Sequence, residues 1–234
     1  MRKFIFIITM FCMTIMSCTK LTDETPQVVT ISFTEQFVER HSMTRGTNDF
    51  LATIEAQTPE YVNVTLTNTE TGKTFTCKSN EDVTVLSGNY NVTAEYTALD
   101  YNEPSLASVP VNVDINSETS SVNLDIFYNC YAVFGLSEEC FMIYYCRPNT
   151  LYEDPFTRHE NLLVAFFTDN RTINLIAHKD SDKFVDTTYE FSTTKVDGKV
   201  YAEYGKYYVV HPTPNPNTTS SFITNTPSMT EGEL

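Results

Sequence analysis

The sequence predicts an all-β protein: two tandem antiparallel β-sandwich domains, Ig-like or transthyretin-like in build, behind a short apolar leader. Three observations predict this. Apolar and polar residues alternate over much of the chain, as in Val29-Thr30-Ile31-Ser32-Phe33 and in Tyr90, Val92, Ala94 and Tyr96, which is the period of a half-buried strand. Turn-forming residues recur between these runs, at Asn68 to Gly72, Ser87-Gly88, Asn116-Ser117-Glu118, Asp169-Asn170 and Asp197-Gly198. No helical period occurs from Tyr61 to Tyr96, where the strand pattern is clearest.

The elements follow in order. Residues 1–17 carry Arg2 and Lys3, then a mostly apolar run from Phe4 to Met16. A membrane-crossing helix needs about 20 apolar residues, so the run is too short to span and reads as a signal peptide. Ile15-Met16-Ser17-Cys18 resembles the lipobox of bacterial lipoproteins. That resemblance implies a cleaved lipoprotein signal peptide, lipidation of the Cys18 thiol, and outer-membrane or cell-surface attachment through the N-terminal lipid. An ordinary secretory signal followed by a cysteine is the alternative reading of the same run. Residues 18–26 are then a polar tether, and more than one acyl chain gives lasting attachment at roughly 0.8 kcal/mol per buried CH₂.

Residues 27–119 read as the first sandwich. It holds a strand at Val29 to Phe33, an exposed loop at Glu39 to Gly46, a hairpin from Val62 to Cys77, and strands at Val83 to Val85 and Tyr90 to Tyr96. A further pair lies at Val109 to Ile115 and Val122 to Ile126. The run from Ser120 to Phe134 becomes apolar on both faces, as a central strand does, and opens the second domain at 120–211. Strands are expected there at Phe141 to Cys146, Leu162 to Thr168, Thr172 to Ala177, Thr187 to Thr194, Lys199 to Tyr204 and Tyr207 to Val210, with a tight hairpin at Asp197-Gly198. Residues 212–234, rich in Pro, Thr and Asn, read as a loosely ordered tail.

Charge and cysteines bound the partners. The chain has 15 basic and 30 acidic residues; without Arg2 and Lys3, 13 face 30, a net −17. Such a polyanion repels nucleic-acid backbones, so no nucleic-acid partner is expected. Export permits disulfides, and Cys77, Cys130, Cys140 and Cys146 allow three full pairings. A hairpin turning through Ser137-Glu138-Glu139 would set Cys130 opposite Cys146, the pair expected to bond.

Signatures of catalysis are missing: the sequence has no GxSxG elbow, HExxH helix, P-loop or dinucleotide fingerprint. The histidines His41, His159, His178 and His211 are dispersed. No enzyme activity, cofactor or metal is therefore expected. Asp180, Asp182 and Asp186 lack the glycine and terminal Glu of a calcium loop. Asp186-Thr187-Thr188 is similar to the Asp-Thr context of some bacterial O-glycosylation systems. Rings near the Arg147-to-Glu160 loop, namely Tyr145, Tyr152 and Phe156, are the candidate contacts for a glycan or protein ligand, because recognition tends to sit on loops.

A lipobox, an early alternating strand, Met43-Thr44-Arg45-Gly46, and a first domain with Val83 to Val85, Gly88, Tyr90 and Val92 together resemble the fimbrillin-like surface lipoproteins. The resemblance covers roughly residues 1–130. It implies two β-sandwiches after a lipidated N-terminus, a role in adhesion or fimbria-like assembly, and other surface proteins or fimbrial subunits as partners. In some members a cut after an early arginine removes the first strand, and another subunit then donates a replacement. Carried over, Arg45 is the processing position and Val29 to Phe33 part of the strand removed. The alternative reading is a glycan-binding lipoprotein of a polysaccharide-uptake system.

Overall fold

The computed structural model describes residues 26–38, 48–147, 153–178, 183–215 and 229–233. The first unit runs β1 (Val28–Phe37), α1 (Asn48–Gln57), β2 (Asn63–Asn68), β3 (Thr74–Lys78), β4 (Val83–Leu86), β5 (Gly88–Tyr96), β6 (Leu106–Ser108), β7 (Val111–Ile115) and β8 (Ser121–Tyr128). The second runs β9 (Tyr131–Leu136), β10 (Cys140–Cys146), β11 (Glu153–Pro155), β12 (Thr157–His159), β13 (Leu162–Phe167), β14 (Arg171–Ala177), β15 (Phe184–Val185), β16 (Thr187–Ser192), β17 (Val200–Tyr201), β18 (Lys206–Val210), β19 (Thr213–Pro214) and β20 (Met229–Glu233). The expected all-β class holds.

In the first unit the strands follow the path β3-β2-β5-β6-β8-β1-β4, with β7 also on β5. Strands β5 and β1 change partner along their length, so the sheet folds over on itself. Val29, Ile31, Val64, Leu66, Tyr90, Val92, Leu124 and Ile126 thereby meet in one core. The alternating residues that suggested strands are the ones facing inward. The β2–β3 hairpin forms as expected: the Asn68 carboxamide oxygen accepts from the backbone of Glu70 and Thr71, and Gly72 supplies the positive φ of the turn.

Two sheets, β12-β13-β9-β18-β20 and β11-β10-β14-β16-β17, enclose the second core of Tyr131, Val133, Ile143, Phe167, Ile173, Phe191 and Tyr208. They approach closely at Gly135, where an added Cβ would lie 1.8 Å from Ile143 Cδ1. The outer face of the first sheet is covered as well. Helix α1 lays Phe50 and Ile54 over Ala132, Phe134, Leu162, Val164, Phe166, Tyr207 and Val209. That is why β9 and β13 are apolar on both faces.

Four expectations need correction. The run 120–134 is two strands, and β8 pairs with β1 and β6, so residues 121–128 belong with the first unit, not the second. The strands flanking Asn116-Ser117-Glu118 do not pair with each other; β7 joins β5. Asp197-Gly198 makes no antiparallel hairpin, because β16 and β17 pair in parallel. Lastly, the 212–234 segment contains paired strands: β19 lies on β15, and β20 lies on β18, where Lys206 Nζ holds Glu231 at 2.6 Å.

The turn from β9 to β10 crosses between the sheets and is held by two histidines. His178 Nε2 is 3.0 Å from Ser137 O, and His211 Nδ1 is 2.8 Å from Glu139 Oε2. The Glu139 hydrogen bond raises the His211 pKa above its ordinary value. A raised folded-state pKa means the contribution is complete below about pH 6.5 and is lost as pH rises through the folded value. The unfolding free energy of the protein, from urea titration, is therefore expected to fall between pH 6 and pH 8 by more than that of His211→Gln, a difference of about 1 kcal/mol or less.

Candidate functional site

The site that the fold builds is the seat of β1. This strand is ten residues long and holds two different neighbours. Val28 to Ile31 run antiparallel to β4, and Ser32 to Phe37 run parallel to β8. Val29 and Ile31 point into the core, and Phe33 packs against it from the next inward position. Backbone bonds at both ends fasten the strand: Ser87 N donates to Gln27 O at 2.7 Å, and Val38 N to Ile126 O at 3.0 Å. Without β1, the edges of β4 and β8 and the floor formed by Val85, Val122, Leu124 and Ile126 would be open to another extended segment. The rim is acidic and polar, with Asn123 and Asp125 exposed on β8.

The expected ligand-contact residues are placed differently. Tyr145 is 4% exposed and Phe156 6% exposed, and both belong to the second core. The Tyr145 ring stands 4.8 Å from Tyr101, 4.9 Å from Phe167 and 5.9 Å from Phe156, and burial raises its phenol pKa. These two are packing residues, which corrects the ligand-contact expectation. Tyr152, Cys18 and Arg45 lie outside the described residues.

No disulfide joins Cys130 to Cys146. The hairpin that would have aligned them does not form, because β9 and β10 belong to opposite sheets. Burial pushes the Cys130 and Cys140 thiols up to about 12, which keeps them protonated and poor nucleophiles. Thr187 is also closed to modification: it is 7% exposed, and its hydroxyl bonds Val185 O and Thr213 Oγ1. Among the described residues no group of three His, Cys, Asp or Glu side chains could hold a metal ion.

A second cluster was not anticipated. The loop from β5 to β6 inserts Tyr101 beside the second core, and Tyr101 O accepts from Phe166 N at 3.0 Å. Arg171, 2% exposed, reaches the Tyr101 hydroxyl with Nη2 at 2.9 Å and Asp169 Oδ1 with Nη1 at 2.6 Å. Its guanidinium carbon lies 4.9, 5.3 and 5.8 Å from the ring centres of Tyr101, Phe167 and Tyr145. Arg147 also donates to the Tyr101 hydroxyl. One tyrosine from the first unit is thus gripped by two arginines of the second. The sequence signal was an arginine in phase with the apolar residues Ile173, Leu175 and Ala177, at the first inward-facing position of β14.

No protein-family model matches the chain, and no curated protein does. Solved structures do. A protein described as a cell adhesion protein of Bacteroides eggerthii is 9% identical, with 89% of this chain and 96% of that chain covered and a TM-score of 0.42. The tip fimbrial protein Mfa3 of Porphyromonas gingivalis is 8% identical, covering 74% and 92%, with a TM-score of 0.42. The fimbrial anchor protein Mfa2 of Porphyromonas gingivalis is 10% identical, covering 79% and 90%, with a TM-score of 0.30. At these identities and scores no residue role is carried across from them.

Proposed function

We propose that this is a non-catalytic lipoprotein of the outer cell surface, fastened by acylated Cys18 and acting in adhesion or fimbria-like assembly. The observation that carries the proposal is the seat of β1. The first strand buries Val29 and Ile31 in the core, yet only the segment holding Arg45 separates it from α1 and the rest of the chain. A cut there would sever both the strand and the lipidated Cys18 from the rest of the chain, so the acyl anchor belongs to the uncut protein and a cut subunit would be held by the strand seated in its groove. Main-chain bonds then supply affinity for an incoming strand, and the inward pockets of Val29 and Ile31 supply specificity. The expected partners are other surface proteins or fimbrial subunits.

Limited trypsin digestion tests this directly. Oligomers resistant to denaturant, seen as a ladder after digestion and absent when Arg40 and Arg45 are both replaced by Ala, are the expected result. Protein that stays monomeric after complete cleavage at Arg45 would defeat the assembly reading. Mass spectrometry of membrane-extracted protein checks the anchor, which requires a diacylated or triacylated cysteine at position 18.

A further inference from the structure

Tyr128 ends β8 and packs against two hydrophobic assemblies at once: the core of the first unit and the layer beneath α1. On one side its ring centre lies 5.7 Å from that of Phe37, the last residue of β1. On the other its hydroxyl is 3.2 Å from Thr58 Oγ1, and Thr58 Oγ1 donates to Ile54 O at 2.9 Å. A hydroxyl has one proton, so with Thr58 donating to Ile54, the Tyr128 phenol is the donor to Thr58. Bonds in such a chain strengthen one another. They satisfy a carbonyl in the last turn of α1, where no intrahelical partner is available. The helix continues the path: Phe50 is 5.1 Å from Phe134 of β9 and 5.7 Å from Tyr207 of β18, and Ile54 is 1% exposed.

We propose that the first strand and the helix are coupled through Tyr128, so that loosening β1 at its Phe37 end loosens the helical cover of the second sandwich. Contacts run unbroken from Phe37 through Tyr128 and Thr58 to Ile54 and Phe50. Strand β18, on which Phe50 stacks, is also the strand that carries β20. The state of the first strand is thereby felt at the outer sheet of the second unit. This coupling belongs to the uncut chain and stands independently of processing at Arg45.

Hydrogen exchange on the full-length protein tests it. In Phe37→Ala, and separately in Tyr128→Phe, the amides of Ala52 to Gln57 are expected to exchange roughly tenfold faster. The double variant should be no faster than the quicker single variant. Val28→Ala, at the far end of the same strand and 71% exposed, should leave those amides unchanged. The proposal is overturned if α1 is indifferent to Phe37→Ala, or if the two effects multiply in the double variant. Equal acceleration across β2 and β16 would mean general destabilisation and would overturn it too.

Discussion

Ile54→Asp is expected to lower the unfolding free energy by about 3–5 kcal/mol and to drive the protein into oligomers on a sizing column. Ile54 is 1% exposed and lies in the middle of the layer that α1 makes with β9, β13 and β18. A carboxylate there has no cation to meet among the residues of that layer, so the helix would lift off to rehydrate it. Lifting uncovers Phe134, Val164, Phe166, Tyr207 and Val209 together, an apolar face of the kind that associates. Urea titration supplies the free energy. Ala52→Asp, two residues away on the opposite, exposed side of the helix, is the matched control and should fall within about 0.5 kcal/mol of the parent.

The second large effect is expected at Arg171. Arg171→Ala should cost about 2–4 kcal/mol, because it empties the space among Tyr101, Tyr145 and Phe167 and removes the ion pair with Asp169. Asp169 is itself 53% exposed in its side chain, so water can serve it when the arginine goes; the loss is mainly one of packing. Arg171→Met should consequently recover about half of the lost stability. Arg171→Lys should recover less, since a point charge on a flexible stem neither stacks on three rings nor spans the Tyr101 hydroxyl and Asp169 together. Thermal melts of the three variants rank them.

Much of the architecture was legible in the chain because a period of two states which side of a strand is buried. Asn63 to Asn68, Tyr90 to Tyr96 and Thr172 to Ala177 lie in strands with the expected inward residues Val64, Leu66, Tyr90, Val92, Ile173 and Leu175. The same period says nothing about which strand lies alongside, and there the expectations failed. Strand β1 joins β8 across most of the first unit, and the strands on either side of Ser137-Glu138-Glu139 separate into opposite sheets. The helix α1 escaped because only three large apolar residues, Phe50, Leu51 and Ile54, mark a helical period within its ten residues. Tyr145 and Phe156 were misassigned because an aromatic ring beside a loop has the same sequence signature whether it faces solvent or core. Arg171 was missed because charge argues for the surface unless partners are known, and its partner Tyr101 is 70 positions away.

The placement of β1 also bears on how the molecule is made. Ser32 bonds to Ser120, 88 residues later in the chain, while Thr30 meets Thr84, 54 residues later. A polypeptide threading out amino end first therefore delivers its opening strand long before either neighbour exists. Pairings between such distant segments close late and slowly. Until they close, Val29, Ile31 and Phe33 form an alternating apolar ribbon open to association with other extended chains.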